Sequence, residues 1–183
     1  MNSLTNQFLI ALPDMQDDRF HHSLILICEH NKDGALGIVL NKPSDLQFGE
    51  VLNSLKIDCD DDGIMDEIAY EGGPVNKECG FVIHSGTAKF QSSIQISQQL
   101  ALTTSRDIIE QIANNNLQRQ WLFCLGCSSW SAGQLEQEIL NNSWLTVSAD
   151  TDLVFSNSDD KWEKGLALLG IQPHQLSGDF GHA

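Results

Sequence analysis

With 183 residues, 41% of them hydrophobic and 19% charged, the chain has the make-up of a globular domain that buries its own core, which excludes intrinsic disorder and a coiled coil. Its 25 acidic against 10 basic residues give a formal net charge of −15, and no Lys/Arg cluster interrupts that balance, so direct nucleic-acid binding, which draws on such clusters, is disfavoured. The five cysteines, Cys28, Cys59, Cys79, Cys124 and Cys127, are odd in number, and Cys28 and Cys124 lie in apolar runs, which fits a reducing compartment.

The stretch from Met1 to Met15 has an apolar run too short for a signal core, and no later stretch approaches the ~20 apolar residues of a bilayer span. A cytoplasmic protein without membrane contact is the expectation, folded as one domain over residues 1–183.

Gln7 to Leu12 reads as a first strand, stopped by Pro13 and an acidic turn with Asp14, Asp17 and Asp18. Ser23 to Glu29 and Ala35 to Leu40 are nearly continuous aliphatic runs joined by Asn31-Lys32-Asp33-Gly34, a hairpin turn, and their lack of alternation predicts strands buried on both faces. Gln47 to Leu55 carries Phe48, Val51, Leu52 and Leu55 at helical spacing, and an acidic loop follows from Asp58 to Glu67.

Ile68 to Tyr70 and Gly80 to His84 read as strands, and the alternation of Ser93-Ile94-Gln95-Ile96-Ser97 predicts a strand with one wet face. Ser105 opens a helix with Ile108, Ile109 and Ile112, and Trp121 to Leu125 is the next strand. A loop through Gly126 and Trp130 is expected to lead to a helix opened by Ser131, with Gln134 three residues on in capping-box spacing. Trp144 to Val147 and Leu153 to Phe155 read as strands, and Asp159 to Leu169 as a last helix stopped by Gly170 and Pro173. Paired strands mixed with helices predict an α+β fold with a mixed sheet.

Several patterns imitate known chemistry and stop short of it. Asp58, Asp60, Asp62 and Gly63 open a calcium loop, with Asp66 at its ninth position, but Ala69 stands where a bidentate Glu closes the coordination. Cys124-x-x-Cys127 has redox or half-zinc spacing, yet no second pair exists and Cys124 falls within a strand. Gly126-Cys127-Ser128-Ser129-Trp130 resembles a nucleophile elbow without its closing Gly, and Ser128 or Cys127 would need His84 as a base. Gly72-Gly73-Pro74 reads as a turn more readily than as an anion cradle, and His21-His22 as loop residues more readily than as ligands. No metal site and no cofactor is predicted.

A larger pattern covers almost the whole chain. Phe8-Leu9-Ile10-Ala11 with Pro13 and Met15, Phe20 and Ser23, His30 with Gly34-Ala35 and Gly37, and Asn41-Lys42-Pro43 occur in the first quarter. Gly72-Gly73-Pro74-Val75, Gly80-Phe81-Val82-Ile83-His84, Gly133-Gln134-Leu135-Glu136 with Glu138, and Trp144 follow, ending in Leu169-Gly170-Ile171, Pro173 and Gly181-His182-Ala183. Together these resemble the YqgE/AlgH family of small bacterial proteins.

The resemblance implies a single α+β domain with a mixed, largely antiparallel sheet curled into a partly barrel-like form with flanking helices. It implies no established reaction; the family's transcriptional-regulator label comes from one branch's association with alginate production. Where the family typically has Gly-Tyr-Ala-Gly-Trp this chain has Gly126-Cys127-Ser128-Ser129-Trp130, so Cys127 and Ser128 cannot serve a function common to the family.

Polar motif residues at strand ends and helix starts are the expected binding surface: Asn41, Lys42, His84, Trp130, Gln134, Glu136 and Glu138. None is assigned a catalytic role. The leading expectation is a binding or regulatory module whose partner is a protein or a small-molecule ligand; the rival is a hydrolase-like enzyme built from His84 and Glu136/Glu138. Direct DNA regulation would require a basic face.

Overall fold

The computed structural model describes residues 3–15, 17–156 and 159–176. The family-like ending Gly181-His182-Ala183 lies outside these described residues.

Three strands set the first half of the sheet: β1 (Gln7–Ala11), β2 (Leu24–Asn31) and β3 (Gly34–Val39), antiparallel neighbours with Phe8 opposite Leu26 and Ile25 opposite Val39. Because strand side chains alternate, Phe8, Ile10, Leu24, Leu26 and Ile38 enter one core cluster while Leu9, Ala11, Ile25, Ile27 and Val39 enter another on the opposite face. That division explains the continuous aliphatic runs, since neither face meets water.

The spine of the molecule is β9 (Trp121–Ser131), which pairs along one edge with β6 (Val75–Ser85). Its other edge is shared. The first half pairs in parallel with β5 (Ile68–Glu71), Tyr70 facing Cys124, and the second half pairs antiparallel with β3, Ala35 facing Trp130. The handover occurs at Gly126, whose φ of +75° suits glycine and whose missing side chain would stand 2.5 Å from the Gly73 carbonyl oxygen. Gly73, at φ +152°, would meet the Cys127 carbonyl at 2.3 Å, so Gly72-Gly73-Pro74 is the place where two backbones cross in contact and not an anion cradle.

The remaining strands are β4 (Pro43–Gln47), β7 (Ser93–Gln95), β8 (Leu100–Thr103) and β10 (Trp144–Ser148). The ten-stranded order is β10-β1-β2-β3-β9-β6-β8-β7, with β5 and β4 branching from β9. Every pairing is antiparallel except β5 with β9, and the sheet curls until β7 approaches β2. The fold is α+β with a curled, largely antiparallel sheet.

Helices α1 (Phe48–Leu55) and α3 (Arg106–Ala113) bury Phe48, Leu52, Ile108 and Ile112 against Val82 and Phe123 on one outer face. A single turn, α2 (Asp62–Met65), is capped by Asp61, whose carboxylate accepts the Ile64 N–H at 3.2 Å. On the first half of the sheet, α4 (Gln134–Leu140) covers Ile25, Ile27 and Val39 with Leu135. The inner core is closed by α5 (Thr151–Phe155) and α6 (Lys161–Leu168) through Leu153, Val154, Trp162 and Leu166.

Three local expectations are corrected. The loop expected after Leu125 is strand, because β9 continues through Gly126 to Ser131. The helix expected to open at Ser131 starts at Gln134, although the anticipated side-chain contact exists: Gln134 Oε1 accepts both the Ser131 N–H and hydroxyl at 3.1 Å. Leu153–Phe155 is helical because the Asp150 carboxylate accepts the Leu153 N–H at 2.9 Å and nucleates a turn. The sequence reading also missed β4, which starts on a proline, and β8, whose four residues are buried.

Candidate functional site

A groove of about 720 Å³ runs beside α4. Its floor is the end of β9 with Trp130, its walls are Gln134 and Glu138 of α4 and the turn Asn141–Trp144, and its far rim is the loop after β1 with Asp14, Asp17 and Phe20. Glu138 organises it. Both indole N–H groups, from Trp130 at 2.9 Å and Trp144 at 2.8 Å, donate to Glu138 Oε2, and Gln134 Nε2 donates to Oε1 at 3.0 Å.

The spacing of Gln134 and Glu138, four residues apart on a helix, puts them on one side of α4. Trp130 and Trp144 meet edge to face with centroids 6.3 Å apart and are almost wholly buried, so each indole nitrogen needs a partner inside the protein. One carboxylate oxygen serves both. Among the described residues no cation lies within ion-pair distance of Glu138, so its charge is fixed by three donors and neutralised by none.

The far rim is held by Asn41 and Lys42. Asn41 Oδ1 accepts the Leu24 N–H at 2.9 Å and its Nδ2 donates to the His22 carbonyl at 2.7 Å, while Lys42 Nζ donates to the Arg19 carbonyl. Within the loop Asp17 pairs with Arg19 at 2.6 Å, which holds the Asp17 carboxyl below its ordinary range. Phe20 then packs edge-on against Trp144 at 5.5 Å. Burial lowers the Lys42 pKa. Of the seven sequence candidates, Trp130, Gln134 and Glu138 meet in the groove, and Asn41 and Lys42 pin its opposite side.

Glu136 points elsewhere, as its position on the helix requires. It accepts from His30 Nε2 at 2.9 Å, and the Leu4 N–H donates to His30 Nδ1 at 2.9 Å, so the neutral ring carries its proton on Nε2. The pair ties α4 to β2.

His84 is not part of this assembly. It faces Trp121 across the β6–β9 register, nine residues along the strand from Trp130, which is about 30 Å at ~3.3 Å per residue. It is fully buried, bonded through Nε2 to Thr103 Oγ1 at 2.8 Å, and burial lowers its pKa. The rival arrangement of His84 with Glu136 or Glu138 is therefore not assembled, because the length of β9 separates them.

The elbow reading fails for the same reason: Ser128 is buried within β9, its hydroxyl 3.4 Å from the Gly72 carbonyl, seven residues from the His84 level. Cys124 and Cys127 are free thiols within that strand, and burial pushes Cys124 up to about 12 and raises Cys127 as well, the opposite of an activated redox pair. His21 and His22 stack on each other at 4.0 Å, and His22 on Trp162 at 4.2 Å, a packing role.

Sequence reasoning missed Trp144, Asp14, Asp17 and Phe20 as groove residues. Trp144 was legible in principle, since a tryptophan in a buried strand needs a hydrogen-bond acceptor and Glu138 is six residues away.

A sequence profile of the AlgH-like family matches residues 8–174. The chain belongs to the AlgH-like family. A UPF0301 protein of Xanthomonas oryzae pv. oryzae is 44% identical over 181 residues, covering 98% of this chain and 96% of the relative. Another from Vibrio parahaemolyticus is 41% identical over 186 residues, covering 99% and 100%. The solution structure of the AlgH protein from Pseudomonas aeruginosa superposes with a TM-score of 0.83 at 37% identity, over 100% of this chain and 97% of that one. A Corynebacterium diphtheriae protein shares the fold at 22% identity and a TM-score of 0.75, over 97% and 92%. In this AlgH-like chain the groove is lined by the Glu138 carboxylate, the side-chain amides of Gln134, Asn141 and Asn142, and the rings of Trp130 and Trp144.

Proposed function

We propose that the protein is a binding module of the cytosol that recognises a positively charged group, an ammonium or guanidinium of a protein partner or a small ligand, in the groove over Glu138. The observation that carries this reading is the carboxylate itself, held by two indole N–H groups and an amide with no cation in ion-pair distance among the described residues. A buried or half-buried anion attracts its counter-charge strongly where water is excluded, and a preformed acceptor spends little entropy on binding. Asp14 on the rim and the net charge of −15 add a long-range pull of the same sign on basic ligands and repel nucleic acid. Any regulatory role would then act through this partner and not through contact with DNA.

Calorimetric titration with hexalysine and hexaglutamate, on wild type and Glu138→Gln, tests it. Hexalysine binding that weakens about tenfold in the variant supports the reading, because one lost charge among many barely alters the overall field. Equal binding by both proteins refutes it.

A further inference from the structure

A second cavity, of about 620 Å³, lies between β5, the end of β3 and the start of α6, away from the groove. At its base is Lys161, only 2% exposed. Its Nζ donates to the Val154 carbonyl at 2.9 Å and the Leu40 carbonyl at 3.3 Å and sits 5.6 Å from the centre of the Tyr70 ring. Among the described residues no carboxylate lies within ion-pair distance of it. A buried ammonium is normally paired with an anion, since dipoles alone repay its lost hydration poorly.

The mouth of the same cavity is of opposite sign. Asp66, Glu67 and Asp159 line it, and among the described residues none of the three is in an ion pair. Pro43, Ile68 and Tyr70 add apolar surface to the same lining. A simple anion would be repelled at the mouth, and a simple cation would meet Lys161 at the base.

We propose that this cavity binds a small zwitterion, a free α-amino acid, with its carboxylate on Lys161 and its ammonium among Asp66, Glu67 and Asp159. The volume falls in the range of small-ligand sites, and Ile68 and Tyr70 favour an aliphatic side chain. Burial lowers the Lys161 pKa to about 8, and an incoming carboxylate is the partner that would hold the amine charged. The cavity shares no lining residue with the Glu138 groove, and the two readings are tested separately.

The test is a thermal-shift and calorimetric screen of the twenty L-amino acids, followed by leucine, leucinamide and N-acetylleucine on wild type and Lys161→Met. The expected result is saturable binding of at least one aliphatic amino acid, weakened about tenfold or more by blocking either end of the ligand, the cost of one lost charge-assisted contact. Lys161→Met, folded by circular dichroism, is expected to lose it to the same degree. Absence of binding by all twenty, or equal binding of the blocked ligands, overturns the proposal; so does unchanged affinity in a folded Lys161→Met. Should that variant not fold, the blocked ligands on wild type give the answer alone.

Discussion

The indole nitrogens of Trp130 and Trp144 converge on a single oxygen of Glu138, at 2.9 and 2.8 Å, and so lock together β9, α4 and β10. Removing the acceptor leaves two buried donors unsatisfied. Glu138→Ala is expected to cost about 2–6 kcal/mol in urea unfolding, from about 1–3 kcal/mol for each unsatisfied group. Glu138→Gln keeps an oxygen acceptor and is expected to cost less than half as much, although it loses the charge. Stability and ligand binding thus separate in one pair of variants.

Asn41 ties the rim loop to the sheet with one acceptor and one donor bond. Replacing it by Ala releases the Leu24 N–H and the His22 carbonyl, an expected loss of about 1–3 kcal/mol. In hydrogen exchange the Leu24 amide is expected to open faster than its neighbours Ile25 and Leu26, which keep their ladder partners. Uniform acceleration across β2 would mean that Asn41 supports the sheet globally and not the rim in particular.

His84 has a pKa lowered by burial from its ordinary 6.5. Above that value both folded and unfolded chains carry a neutral ring. As pH falls through 6.5 the unfolded chain takes up the proton first, so stability drops until the folded pKa is reached. Wild type is therefore expected to lose more stability between pH 7 and pH 5 than His84→Asn, measured by chemical denaturation across that range. Parallel curves would show that the ring is not held neutral.

Lys161 works in the alkaline range. Its pKa falls from 10.5 in the unfolded chain to about 8, which corresponds to a penalty of about 3 kcal/mol when both states are charged. The penalty is complete below pH 8 and disappears as pH rises to 10.5, because there the folded chain has shed a proton that the unfolded one still holds. The difference in stability between wild type and Lys161→Met is expected to shift in favour of wild type by that amount over this window. Referencing to the variant removes the opposite trend of Cys28, whose buried thiol resists ionisation.

What the sequence made legible was what depends on short-range periodicity and on shared motifs. The aliphatic runs of β2 and β3, the helical spacing in α1 and α3, and the turn at Asp33-Gly34 all follow from local rules, and the curled sheet came from the family resemblance. β9 was cut short in the reading because Gly126 looks like a loop residue when it is a strand residue at which one edge passes from β5 to β3. Gln134 and Glu138 were placed correctly on one helix face, but the register that sets His84 some nine residues from Trp130 is a long-range fact that no local pattern carries. Lys161 was invisible for a similar reason: one of its acceptors, the Leu40 carbonyl, lies 121 residues away, and the other, Val154, is in the preceding helix.

The four tryptophans give the groove its own reporters, since Trp130 and Trp144 donate to Glu138 while Trp162 bonds the Ala11 carbonyl and Trp121 packs on Phe48. The decisive measurement is a 1H–15N correlation spectrum of the indole N–H region during titration with hexalysine. Saturable shifts of the Trp130 and Trp144 resonances, with those of Trp121 and Trp162 fixed, are the predicted result. Binding that leaves the Trp130 and Trp144 signals in place, or no binding at all, would contradict the assignment of the groove as a site for cationic groups.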